Sequence, residues 1–137
     1  MGLLANFQIS GSAISAQSLR LNTTASNMAN AETIAANKDE AYRARETVFQ
    51  SYLFNGQRPA EMGVKMMGVV ESNAPVRNKY DPQHPLADEQ GYVYTSNVNA
   101  VEEMVNMMSA SRSYQNNVEV LNTSKDLLLR TLSLGNQ

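Results

Sequence analysis

Residues 99–134 read NAVEEMVNMMSASRSYQNNVEVLNTSKDLLLRTLSL and contain neither Gly nor Pro. Stepping along them by three and four gives Ala100, Met104, Met107, Ser111, Tyr114, Val118, Leu121, Lys125, Leu128 and Leu132. Most of that row is apolar or aromatic, so the spacing predicts one long helix with a seam of coiled-coil period. Lys125 breaks the row and can snorkel to an edge. Asn99 fits the N-cap, with Glu102 three residues on and Glu103 beside it, at the positive end of the helix dipole. Arg130 suits the opposite end, and Gly135 suits a stop.

The other end of the chain is built alike. From Leu4 the same stepping gives Phe7, Gly11, Ile14, Ser18, Leu21, Ala25 and Met28. Phe7, Ile14, Leu21 and Met28 fall seven apart, with small residues on the second row. A helix from Leu3 to Ala31 spans about 40 Å. The remaining faces of both predicted helices are polar but almost uncharged. The first offers Gln8, Ser10, Ser12, Ser15, Gln17, Asn22 and Ser26; the last offers Asn106, Ser109, Ser113, Gln115 and Asn116. Ser and Asn are mediocre helix formers. A small, uncharged polar face is cheap to desolvate when its hydrogen bonds are remade, so these faces are expected to be covered by other helices. The competing reading is a low-charge helical hairpin acting alone as a soluble adaptor or chaperone.

Between the helices the composition changes. Residues 56–97 hold all four Pro and four of the seven Gly. Val64–Glu71, Val76–Tyr80 and Gly91–Thr95 read as short strands, with Tyr92 and Tyr94 on one face and Val93 on the other. Asn55-Gly56 is a turn signal. The charged stretch 38–46 reads as a solvated loop and helix. The fold class is therefore mainly α with a small β unit. Its long N- and C-terminal helices pair as a coiled-coil-like hairpin, beside a short β-rich middle domain.

Composition narrows the chemistry. The chain has 137 residues, a formal net charge of −2, 42% hydrophobic and 7% aromatic residues, no Trp and eight Met. Large rigid core anchors are scarce and adaptable ones plentiful. The absence of Cys excludes disulfides, thiol catalysis and Cys-ligated metals, and a single His makes a His-centred triad or metal site a poor reading. The near-neutral balance does not fit a nucleic-acid binder. No apolar run approaches the ~20 residues of a membrane span, and Met1–Ala16 lacks the basic start and unbroken apolar stretch of a secretory signal. His84 with Asp81 or Asp88 is the nearest approach to a hydrolytic pair; a Pro-fixed turn explains the same residues. Met104, Met107 and Met108 read as core packing before they read as a docking groove. No catalytic, cofactor-binding or metal-binding residue is expected, and no cofactor.

The stretch Leu19–Ala31, LRLNTTASNMANA, resembles the N-terminal signature of bacterial flagellar rod and hook axial proteins. There a helix ends in S-N-[LM]-A-N-A, here Ser26, Asn27, Met28, Ala29, Asn30 and Ala31, followed by Thr33 and the Tyr42-Arg43 pair. Residues 97–122 resemble the matching C-terminal signature through Asn97-Val98-Asn99, Glu102-Glu103-Met104 and Ser109–Tyr114. Tyr80–Pro85 and Gly91-Tyr92-Val93 narrow the resemblance to a short proximal-rod member. The linker Glu32–Glu40 lacks the glycine that the family carries between its two N-terminal motifs.

The resemblance implies a non-enzymatic structural subunit of the flagellar basal-body rod. Such a subunit self-assembles into the helical tube that transmits torque and lines the export channel across the periplasm. It divides the chain into an inner-domain helix (1–37), a linker with a β-rich outer domain (38–97) and a second inner-domain helix (98–137). It implies export by the flagellar type III apparatus without a cleaved signal. Phe49 to Leu53 has the Phe-x-x-x-apolar spacing of an export-gate signal. Implied partners are other copies of the chain, neighbouring rod proteins, basal-body ring and rod-base adaptor proteins and the export gate, with no nucleic acid and no membrane insertion. The residues expected at the helix seam and subunit interface are Leu4, Phe7, Ile14, Leu21 and Met28 with Met104, Met107, Tyr114, Val118, Leu121, Leu128 and Leu132.

Overall fold

The computed structural model describes residues 3–54 and 62–135. Helix α1 spans Leu3–Ala29 and helix α2 spans Ala100–Gly135. Between them lie β1 (Ile34–Ala35), β2 (Arg45–Leu53), β3 (Met62–Glu71), β4 (Arg77–Tyr80) and β5 (Tyr92–Thr95). The architecture is mainly α, with a small two-sheet β middle.

The helices run antiparallel, because the C-terminal third of α1 lies beside the first turns of α2. Arg20 Nη2 donates to Asn106 Oδ1 at 3.2 Å. One turn further along each helix sit Ala16 and Ala110, both buried. Small residues at these buried positions leave room for the backbones to come near. With 36 residues against 27, α2 extends well past the start of α1. Asn99 caps α2: its Oδ1 accepts from the Val101 amide at 3.1 Å, and its carbonyl accepts from Glu103 at 3.0 Å. Gly135 is the last residue of α2 rather than a stop beyond it. Arg130 lies short of the last turn, which carries no basic residue.

Strands β2 and β3 form an antiparallel hairpin. Val48 pairs with Gly68 and Phe49 with Met66, so Met67 is an unpaired bulge residue pointing into solvent. The sequence reading of 38–46 as loop and helix needs correcting at this point. Loop holds to Ala44, and Arg45 and Glu46 open β2. Their charges do not prevent a strand, because both are exposed while Thr47 and Phe49 are half-buried. The Asn55-Gly56 turn lies outside the described residues.

The second sheet has the order β1-β5-β4, all antiparallel. Val93 of the central strand is fully buried, whereas Tyr92 and Tyr94 are half-buried on the opposite face. The Tyr80 and Tyr92 rings meet edge to face at 5.2 Å. Gly91 has φ of +82°, which turns the chain into β5. Two polar side chains tie together the loops around this sheet. Arg77 donates to the carbonyls of Ser96 and Val98 at 3.1 and 2.8 Å. Asn97 accepts from the Ala44 amide at 2.6 Å and donates to the Ala74 carbonyl at 2.8 Å.

The largest fully buried side chains are Val93, Val98, Asn27 and Ser96. Among the described residues no Leu, Ile, Met, Phe or Tyr is fully buried. The scarcity of core anchors in the composition thus appears as a fold whose large apolar side chains stay partly or wholly in water.

Candidate assembly surface and the joint at Asn27

Placement of the seam residues follows from the flanks of α1, which has α2 on one side and the hairpin on another. Phe7, Ile14, Leu21 and Met28 are half-buried, and Leu4 is 72% exposed. On α2, Met107, Tyr114, Val118, Leu121 and Leu128 are half-buried, while Met104 and Leu132 are exposed. The buried positions of the helices are mostly small ones instead: Ala5, Ser10, Ala16, Thr24 and Asn27 on α1, Ala110 and Ser124 on α2. Part of the uncharged polar face of α1 is covered by the chain's own hairpin, since Ser12 Oγ accepts from the Val64 amide at 3.1 Å.

An apolar stripe that the heptad reading caught only at Met104 runs along the first two turns of α2, so Met104 and Met108, read first as core packing, lie outside the core. Val101, Met104, Val105 and Met108 are 52–68% exposed. Their spacing of three and four residues is the signal that a search for a second stripe would have found. Further on, Leu127, Leu129, Leu132 and Leu134 are exposed where α2 outruns α1. The hairpin adds Met67, Val69 and Val70. So much exposed apolar side chain marks a surface built for association.

The six residues from Ser26 to Ala31 form the joint between α1 and the β unit. Asn27, 1% exposed, accepts at Oδ1 from the Arg45 amide (2.9 Å) and from the Tyr42 hydroxyl (3.0 Å). Its Nδ2 donates to the Arg45 carbonyl at 2.8 Å. Ser26 Oγ lies 3.3 Å from the Tyr42 hydroxyl. Asn30 closes the helix end by donating from its side chain to the Ser26 carbonyl at 2.8 Å, and its own carbonyl accepts from Thr33 Oγ1 at 2.8 Å. Ala29 is exposed as the last residue of α1, and Ala31 is buried. The Arg45 guanidinium stacks 5.5 Å from the Tyr42 ring centroid and reaches Glu71 at 3.6 Å. That ion pair is about half exposed on both sides and contributes little to stability. An open cleft of about 460 Å³ lies where the end of α1, the start of β2 and the start of α2 meet.

His84 and its neighbours form a turn. The His84 amide donates to the Asp81 carbonyl at 3.1 Å, and His84 Nδ1 accepts from the Leu86 amide at 3.1 Å. The carboxylate that organises this region is Asp88, which accepts the amides of Gln90 and Tyr92 and the hydroxyl of Tyr94. The Tyr92 amide does most to hold the Asp88 carboxyl below its ordinary value. Among the described residues no three His, Asp or Glu side chains converge to hold a metal ion, and no helix is long and apolar enough to cross a membrane.

Curated relatives match almost the whole chain, and a family model matches its C-terminal third. Residues 89–134 match the family described as flagellar basal body rod FlgEFG protein, C-terminal. The chain is 54% identical over 135 residues to the flagellar basal-body rod protein FlgC of Salmonella typhimurium, covering 98% of this chain and 99% of that one. FlgC of Escherichia coli O6:H1 matches equally, at 54% identity with the same coverage. FlgC of Borreliella burgdorferi is 34% identical over 152 residues, with 98% of each chain covered. Together with a fold of two long terminal helices around a small β unit, these matches show that the chain belongs to the FlgC family of flagellar basal-body rod proteins.

Proposed function

We propose that this chain is a structural subunit of the flagellar basal-body rod. It assembles with copies of itself and with neighbouring rod proteins into a helical tube crossing the periplasm. The observation that carries this reading is the distribution of side chains on the helix pair: its buried positions are mostly small residues, and its large apolar residues are half-buried or exposed. Such a pair becomes a fully buried core only when other helices cover it. Each large side chain so covered contributes about 1.5–3 kcal/mol. Contacts of this kind that do not close into a ring propagate as a helix.

In this reading residues 1–37 and 98–137 form the inner domain that lines the export channel, and residues 38–97 form the outer part. The seam residues from Leu4 to Met28 and from Met104 to Leu132 serve subunit contact and torque transmission. The base of the rod meets the basal-body ring and adaptor proteins. The subunit has no catalytic role. Export through the flagellar type III gate as an unfolded chain is supported by the absence of Cys and by Phe49 and Leu53, which are paired into β2 once the chain has folded.

The test is Leu21→Asp or Leu121→Asp in cells whose only copy carries the change. Both are expected to abolish swimming through failed rod assembly, with no hook-basal bodies recovered. Normal swimming by either variant overturns the reading.

A further inference from the structure

Among the described residues the hairpin is fastened to α1 at two polar points, and they are unequal. At the near end, the carboxamide of Asn27 accepts from the N–H and donates to the C=O of one residue, Arg45. An antiparallel neighbouring strand offers a residue this same pair of bonds. On its other side Arg45 faces Glu71, but the ladder bond there runs from the Ser72 amide to the Ala44 carbonyl at 2.8 Å. The N–H and C=O of Arg45 therefore turn away from β3, and Asn27 takes the place of a third strand at this single position. The Tyr42 hydroxyl, on the loop leading into β2, bonds the same oxygen. At the far end one bond, from the Val64 amide to Ser12 Oγ, makes the attachment.

Only a carboxamide of this length supplies the acceptor and the donor together. Asp lacks the donor and would bury a charge, Ala lacks both, and Gln is one methylene too long. Apart from buried Gly63, the described hairpin residues are half-buried or exposed, so packing on α1 rests on partly covered side chains.

We propose that Asn27 is a positioning residue. The Asn27–Arg45 clasp fixes the direction in which the hairpin leaves the helix pair, and with it the surface that the subunit presents to the next one. The second half of this statement rests on the rod-subunit reading above; the first half does not. A chain without the clasp keeps both helices and their apolar faces, joins the growing assembly and blocks the step that follows.

The test has two arms. In the first, the full chain carries spin labels at Ser18→Cys and Met67→Cys, both exposed positions in a chain without native Cys. The label-to-label distance is expected to be a narrow peak in the parent, lost in Asn27→Asp and Asn27→Ala at unchanged helical circular dichroism. Tyr42→Phe, which leaves α1 untouched, is expected to broaden the peak less; it decides the matter if Asn27→Asp loses helicity. A parent without a narrow peak, or an unchanged peak in Asn27→Ala and Tyr42→Phe, overturns the clasp. In the second arm, Asn27→Asp is produced in cells that also make the unaltered chain. It is expected to suppress swimming, whereas Leu21→Asp is expected to be recessive. An exported but recessive Asn27→Asp overturns the assembly half. Motile Leu21→Asp and Leu121→Asp cells would instead remove the rod reading and leave the distance result standing.

Discussion

Tyr94 donates its hydroxyl hydrogen to Asp88 Oδ2 at 3.1 Å, while the other oxygen of that carboxylate accepts the amides of Gln90 and Tyr92 at 3.0 and 2.8 Å. The Tyr92 amide first, then the Tyr94 hydroxyl and the Gln90 and Gly91 amides, hold Asp88 below its ordinary 3.8 against the opposing effect of burial. The same hydrogen bond, with burial, holds Tyr94 above its ordinary 10.0. A depressed carboxylate stabilises the fold above its unfolded value and loses that effect as pH falls through its folded value. A raised phenol stabilises the fold below its unfolded value and loses the effect as pH rises through its folded one. The turn before β5 should therefore loosen below about pH 4 and again above about pH 10. Tyr94→Phe should return the Asp88 titration part of the way to 3.8 and remove the alkaline limb. Carboxyl and amide NMR titrations read both changes, and an Asp88 titration unmoved by Tyr94→Phe contradicts the pairing.

Gly91 should not tolerate a side chain. Its φ of +82° is in the left-handed region, and a Cβ there meets Tyr80 Cε2 at 2.9 Å and Pro82 Cβ at 3.0 Å. Gly91→Ala should destabilise the protein by about 1–3 kcal/mol. Urea unfolding with an unshifted midpoint would refute this.

Close approach of the helices at Ala110 should be equally strict. Ala110→Leu overfills a site with 0% exposure and should cost about 1–3 kcal/mol. Met108→Leu, two residues away on the exposed side, should change stability by less than about 0.5 kcal/mol. Thermal melts of the two variants that coincide would show that the helices are not in close contact there.

The cap of α2 should be separable from its packing. Asn99→Ala removes the acceptor for the Val101 amide and should cost about 0.5–2 kcal/mol, while Asn99→Asp should retain most of the stability. Amide hydrogen exchange over residues 101–103 locates the effect. Exchange unchanged by Asn99→Ala would mean that the cap contributes nothing.

Much of this fold was legible because its signals are local. A Gly- and Pro-free run with period near 3.5 reads as a helix whatever surrounds it, and α1 and α2 followed from that. Strands β3, β4 and β5 were legible from β-branched and aromatic content between turn residues. Strand β2 was not, because Arg45 and Glu46 look like loop, and the strand exists through its pairing with β3 and its tie to α1. The seam was readable as a row of large side chains but not as a depth order. Two neighbours flank α1, and the buried positions include Ala16 and Ala110, which carry no heptad signal. Asn27 shows the limit most plainly. A family resemblance marked it, and its position near a helix end suggests only a local cap. Its partner stands 18 residues away, and only the folded chain brings them together.

The placement of Ala16 and Ala110 inside the pair, with Val101, Met104 and Met108 outside it, also bears on how the subunit behaves in quantity. Closing the pair leaves the outer stripe in water, whereas laying a further helix over that stripe withdraws it. Association should then be sharply concentration-dependent: dilute chains stay apart, and above a critical concentration added protein goes almost entirely into polymer.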